Sequence, residues 1–286
     1  MKTITRRRMI SGLGAGLAAA ATPRLFAAQN VSKGDAMTTQ KLEDPKNRYP
    51  KPPFKEQQQP WPGLASKMDP RPDHREKSYK GSGRLAGRKA LITGGDSGMG
   101  RGAAIAFARE GADVAINYFP TEQPDADEVI ALIKEAGRKA VAIPGDLREE
   151  NFCRKLVSDA IQQLGGLDIL VCNAARQQTR KSILDITTED FDATMKTNIY
   201  APFWIIKAAL PHLPPGSVII GTTSEQATEP SPDIYDYAMT KAATTNYIRS
   251  LAKQLAPKGI RAGLKIHNRF CASSTLLSEL LTRVLD

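Results

Sequence analysis

The feature that most limits what this chain can fold into is an apolar stretch, Lys89-Ala90-Leu91-Ile92-Thr93, that runs into a glycine-rich turn. The turn is Thr93-Gly94-Gly95-Asp96-Ser97-Gly98-Met99-Gly100, and an alanine-rich helix predicted over Arg101 to Glu110 follows it. Strand, glycine turn and helix in that order lift such a motif above an ordinary loop. The glycines permit the tight turn and the close approach of backbone to a pyrophosphate, whose charge a helix N-terminus stabilises. The unit then recurs. Strands are predicted at Asp113–Tyr118, Ala140–Ile143 and Leu167–Cys172, with helices at Asp125–Ala136 and Glu150–Leu164 between them. Strands apolar on both faces, alternating with helices, imply a parallel sheet covered on both sides with right-handed crossovers. The predicted class is α/β, one domain with a doubly wound sheet of strand order 3-2-1-4-5.

Downstream, Tyr235 to Ala256 reads as one helix: Ile248, Leu251 and Leu255 recur at helical spacing, and Pro257-Lys258-Gly259 stops it. It carries Tyr237 and Lys241, which are four residues apart and so share a face. An ammonium beside a phenol favours the phenolate, and a phenol so tuned can act as general acid or base. A Tyr-x-x-x-Lys pair alone arises often by chance, and Tyr235 lacks the lysine because position 239 is Met. A helix predicted over Glu189–Leu210 contains Asn198, and a strand over Ser217–Gly221 ends just before Ser224. In this topology strand C-termini converge on the crevice where ligands bind.

Thr93-Gly94-x-x-x-Gly98-x-Gly100, Gly145-Asp146-Leu147, Cys172-Asn173-Ala174-Ala175, Asn198, Ser224 and Tyr237-x-x-x-Lys241 together resemble the short-chain dehydrogenase/reductase superfamily in order and spacing. The Gly-Asp-Ser-Gly-Met-Gly turn, the proline-rich arm and Ser231-Pro232 look like its bacterial aldehyde or sugar-alcohol reductase group, akin to glucose and ribitol dehydrogenases. The resemblance implies a Rossmann fold and hydride transfer between NAD or NADP and a small carbonyl or alcohol. It implies that Gly94, Asp96 and Ser97 to Gly100, Met99 included, hold the pyrophosphate end. Asp146 would contact the adenine with Leu147 beside it, and Asn173 would line the cleft and steady the sheet. Tyr237 would exchange the proton, Lys241 would tune it and bond the nicotinamide ribose, Ser224 would position the substrate oxygen, and Asn198 would hold a water linking Lys241 to solvent. A homo-oligomer, a tetramer in the family, is implied as well. Where strand two ends, NAD enzymes usually carry an acid. Asn117-Tyr118 stands there instead, with Arg101 in reach by sequence, so the reading leans to NADP.

The net charge of +10 falls to +5 without residues 1–28, which hold Lys2, Arg6, Arg7, Arg8 and Arg24 and no acid. The remaining basic residues are scattered without aromatic interleaving, which argues against nucleic-acid binding. Three cysteines make no disulfide framework, no CxxC or HExxH spacing suggests a metal, and His74, His212 and His267 read as surface or satisfied histidines. No apolar run is long enough to span a membrane.

Residues 1–28 read as a secretory signal whose twin arginines resemble the Tat type, which places the chain in the periplasm. The alternative is a cytoplasmic protein starting at Met37. Residues 29–83 form a proline-rich arm, with eight prolines between Pro45 and Pro72. Either Phe54, Trp61 and Leu64 anchor it to a domain or a neighbouring subunit, or it is a linker. The domain proper spans 84–261, and 262–286 departs from the family. There the family runs into a Pro-Gly segment, a substrate-covering helix pair and a last strand. This chain reads Ala262-Gly263-Leu264-Lys265-Ile266-His267-Asn268-Arg269, as after a frameshift or truncation. The last strand is therefore expected to be missing, although the alternation of Ile260, Ala262, Leu264 and Ile266 leaves a sixth strand open. Ser274 to Leu285 could form one amphipathic helix. Two functional classes follow: an NAD(P)-dependent reductase, or a non-catalytic remnant that binds dinucleotide or subunits.

Overall fold

The computed structural model describes Asp44 and residues 50–267. The signal segment, most of the arm before Pro50 and the helix predicted over Ser274–Leu285 lie outside the described residues. The fold is that of the unit beginning at Lys51.

Six parallel strands form one sheet in the order β3-β2-β1-β4-β5-β6. They are β1 (Lys89–Thr93), β2 (Asp113–Tyr118), β3 (Ala140–Pro144), β4 (Ile169–Cys172), β5 (Val218–Ser224) and β6 (Arg261–His267). The helices are α1 (Gly98–Arg109), α2 (Gln123–Glu135), α3 (Glu150–Leu164), α4 (Thr188–Met195), α5 (Ala201–Ala209) and α6 (Tyr235–Leu255). Successive strand residues face opposite sides. Ala90 and Ile92, Ile169 and Val171, and Val218 and Ile220 join Phe107 of α1 and Val129 and Ile133 of α2 in one buried cluster. The intervening Leu91, Leu170 and Ile219 join Leu156 of α3, Ile206 of α5 and Ile248 and Leu251 of α6 in another. Each such Leu or Ile contributes roughly 1.5–3 kcal/mol by leaving water, which is what fixes two layers of helices on one sheet. The sixth strand left open by the sequence is present. β6 pairs with β5 from Val218↔Arg261 to Ser224↔His267. A strand beyond it would lie outside the described residues.

Two departures from the expected elements matter for the site. The helix predicted over Glu189–Leu210 is interrupted by a π-helical stretch, Lys196–Tyr200, centred on Asn198. Ala201 N–H reaches back five residues to the Lys196 carbonyl. Pro202 has no N–H, so the Asn198 carbonyl four residues earlier lacks its α-helical donor. An inserted residue at such a point is how α-helices carry single wide turns. The second departure is β5, which extends through Ser224 rather than stopping before it.

The arm from Lys51 is packed on the domain, and its grips are mostly polar. Ala65 and Ser66 N–H donate to the two oxygens of Asp125 at the start of α2 (2.6 and 3.1 Å). Arg101 of α1, only 2% exposed, pairs with Glu76 of the arm and Glu128 of α2. The Glu110 carboxylate, fully buried, accepts from Tyr79 Oη, Ser82 N and the Arg84 guanidinium. Of the three apolar anchors expected, Trp61 meets Phe119 with ring centroids 5.2 Å apart, Leu64 is half-buried and Phe54 is exposed.

Candidate active site

A cleft opens along the C-terminal ends of β1, β2, β3 and β4. It is lined by Gly94, Asp96, Ser97, Gly98, Met99, Asn117, Tyr118, Asp146, Leu147 and Asn173, so nearly every residue expected to hold a dinucleotide meets there. Gly100 closes it from below. A Cβ at that position would fall 1.8 Å from the Gly94 carbonyl oxygen, so only glycine lets α1 start this close to β1. Ser97, the residue before α1, makes no side-chain cap to the helix. The first amides of α1 are therefore left without a side-chain cap, the arrangement that receives a phosphate. Asn173 donates to the Thr93 and Gly94 carbonyls (3.3 and 3.2 Å) and ties β4 to the glycine turn. These residues fit a pyrophosphate.

Three expected contacts are already committed within the protein. Asn117 donates its amide to the Ile143 and Gly145 carbonyls (3.1 and 3.3 Å), bracing β2 against β3. The Tyr118 hydroxyl donates to Gln123 (2.8 Å). Asp146 is clasped by Arg148 (2.5 Å); burial opposes ionisation, but those hydrogen bonds hold its carboxyl below the usual range. Arg101, placed near a 2′-phosphate by the sequence, is instead buried against Glu76 and Glu128.

At the far end of β5 a second group converges. Ser224 ends the strand and is 4% exposed, and Tyr237 and Lys241, on one face of α6, are 6% and 4% exposed. Ser224 hydrogen-bonds Tyr237. Lys241 Nζ stands 5.2 Å from the centre of the Tyr237 ring and donates to the Thr222 carbonyl (2.8 Å). The expected lowering of the tyrosine pKa does not appear in this geometry. Burial raises it and only the Ser224 hydrogen bond opposes, because the ammonium is turned to a backbone carbonyl. Burial also brings Lys241 down to about 8. Tyr235, the competing tyrosine, points outward at 45% exposed.

Asn198 sits on the π-helical turn and is 3% exposed. Its amide donates to the Arg176 carbonyl and Thr240 Oγ1 (both 3.0 Å) and accepts from Arg176 N–H (2.7 Å). Both donors are thus used, and one lone pair of the amide oxygen remains for water. The sequence reading missed the residues that brace this group. Asp236, buried in the first turn of α6, accepts from Thr194 (2.6 Å), and Arg176 pairs with Asp190 (2.6 Å). It also set aside His267, which lies in register with Ser224; burial lowers its pKa, and Lys265 and Lys241 add to this. Only the pairing of β6 with β5, invisible in a one-dimensional pattern, reveals that neighbour. Among the described residues no cluster of His, Cys, Asp or Glu could hold a metal ion, and no helix is long and apolar enough to cross a membrane.

With this geometry in hand, residues 94–264 match a family described as Enoyl-(Acyl carrier protein) reductase. The chain is 54% identical over 223 residues to the uncharacterized oxidoreductase YghA of Escherichia coli strain K12, covering 78% of this chain and 76% of that one. It is 40% identical over 215 residues to the glucose and ribitol dehydrogenase of Daucus carota, covering 73% of each. Among solved structures, a short-chain dehydrogenase from Burkholderia cenocepacia in complex with NADP superposes with a TM-score of 0.60 at 40% identity, over 63% of this chain and 74% of that one.

Proposed function

This chain belongs to the short-chain dehydrogenase/reductase superfamily and is an NAD(P)-dependent oxidoreductase of CH–OH groups, and from that premise we propose that it interconverts a small aldehyde or ketone, or a sugar, with the corresponding alcohol. The observation that carries this reading is the burial of Ser224, Tyr237 and Lys241 together at the end of β5, where ligands of this topology gather. The nicotinamide, when bound, supplies or takes the hydride. Tyr237 gives its phenolic proton to the substrate oxygen in reduction and takes it back in oxidation. Ser224 turns its one hydroxyl proton from Tyr237 to the same oxygen and stabilises its developing charge. Lys241 stands beside Tyr237, and its pKa of about 8 keeps it cationic at neutral pH while leaving it able to relay a proton. Asn198 fixes the start of α6 through Thr240 and presents its remaining lone pair to a water on that relay. The kinship to a glucose and ribitol dehydrogenase supports polyols and their carbonyls as the substrate class.

The test follows NAD(P)H oxidation by the full chain against short aldehydes and sugars. Tyr237→Phe is expected to lower kcat by a factor of about 100 or more, with dinucleotide affinity nearly unchanged, because the lost group acts on the proton in the transition state. Tyr235→Phe is expected to be near neutral. Equal losses from the two would remove Tyr237 from the mechanism, and binding without any turnover would favour the binding-only class.

A further inference from the structure

The adenosine end of the cleft carries chemistry that hydride transfer does not use. Gly95 N–H donates to the Asn117 carbonyl (3.0 Å), which draws the glycine turn against the end of β2. That is where the adenosine ribose of a dinucleotide lies in this topology. Two carboxylates line the cleft here. Glu122 is half-buried and accepts from Phe119 N–H (3.1 Å), and Asp96 is 1% exposed. The Asp96 Oδ2 is buried and has no hydrogen-bond partner. A buried acceptor left in that state is destabilising, and a donor that reaches it gains the full difference. Trp61 and Pro62 of the arm form the outer wall, with Trp61 leaning on Phe119.

Positive charge is committed elsewhere. Arg101 is buried against Glu76 and Glu128 and does not line the cleft. Arg148 lines it but is clasped by Asp146, and Arg176, also lining it, is held by Asp190. Burial, with repulsion from Asp125, pushes Asp96 up to about 6; burial, with Asp96 and Asp125 adding, pushes Glu122 up to about 7. A place that already resists two negative charges resists a third.

We propose that this end of the cleft selects the unphosphorylated ribose, so that the chain prefers NAD(H) to NADP(H), with Asp96 accepting from the ribose 2′-hydroxyl and Glu122 turning away a 2′-phosphate. The inference rests on the reading that the cleft holds NAD(P). A 2′-phosphate would set a divalent anion against two carboxylates out of bulk water, where like charges repel strongly. A solved neighbour of this fold holds NADP, so the fold alone does not decide the preference.

The test is an equilibrium titration of the full chain with NADH and with NADPH, followed by quenching of tryptophan emission. The parent is expected to bind NADH at least about tenfold more tightly, a separation of about 1.4 kcal/mol. Asp96→Asn should weaken NADH and leave NADPH equal or improved, and Glu122→Gln should improve NADPH alone. Circular dichroism identifies any variant that fails to fold, and Glu122→Gln decides if Asp96→Asn does. Equal or tighter NADPH binding by the parent, or an unchanged ratio in both folded variants, overturns the selection while leaving the function intact. Binding of neither nucleotide overturns the function on which the selection rests, and the selection with it.

Discussion

Lys241 and Asp96 are two charged side chains taken almost wholly out of water, and the chain treats them differently. Lys241 keeps a backbone partner in the Thr222 carbonyl; Asp96 keeps one oxygen without any. The second arrangement has a consequence with a definite sign. Burial lifts the Asp96 pKa from 3.8 to about 6, above its value in the unfolded chain. Its contribution to stability is therefore complete below about pH 4 and is lost as pH rises through about 6. Glu122, lifted from 4.5 to about 7, behaves alike over a window shifted upward. Asp96→Asn should remove the penalty that belongs to Asp96. In thermal melts of the ligand-free chain, the variant is expected to gain on the parent between pH 5 and pH 8, by on the order of 2 kcal/mol after allowance for partial screening. A constant difference across that range would mean that Asp96 does not ionise where its burial implies. Tyr237 and Lys241 were legible in the sequence because four-residue spacing puts them on one face. The direction of the tyrosine shift was not, because it depends on where the ammonium points.

At the level of elements, the arm and the interrupted helix were the least legible parts. The break at Asn198 had a sequence signal in Pro202, four residues later, which removes the donor an α-helix would need there. The arm had none. Its partners Asp125, Arg101 and Glu110 lie in or beside helices that read as ordinary, and Asp125 is reached from Ala65 across 60 residues. The apolar anchors that a pattern can find supply only the Trp61 contact. Glu110 is the strongest of these polar grips, gathering Tyr79, Ser82 and Arg84 around one buried carboxylate. Glu110→Ala should destabilise the chain by about 2–4 kcal/mol, since several donors lose their acceptor together. It should also make the arm the first site of tryptic cleavage at pH 7, through Lys67, Arg75, Lys77 and Lys80. Cleavage at the parent rate, read by mass spectrometry of the fragments, would show that the arm is held elsewhere.

Across the whole molecule, strand and helix patterns were enough to recover the sheet and its order, because β1, β2, β4 and β5 are apolar runs buried on both faces and β3 alternates between buried and exposed residues. β6 was visible only as an alternation, and its value to the site came from pairing with β5 along its full length. The candidate residues were legible as a set, whereas the groups that hold them, Asp236, Thr240 and Arg176, act through side-chain bonds across 18 to 42 positions and leave no local pattern. One feature of the fold also bears on how long a bound dinucleotide stays. Trp61 and Pro62 stand at the rim of the cleft, on a segment that precedes the sheet in the chain and is pinned to the helices at Asp125 and Glu110. A dinucleotide in the cleft would lie against this wall, and losing that contact should shorten its residence. Trp61→Ala should speed NADH release several-fold in stopped-flow chasing while arrival changes little, as is usual when a contact is removed from one side of an interface. Where release limits turnover, the same substitution would quicken the enzyme as it loosens its grip.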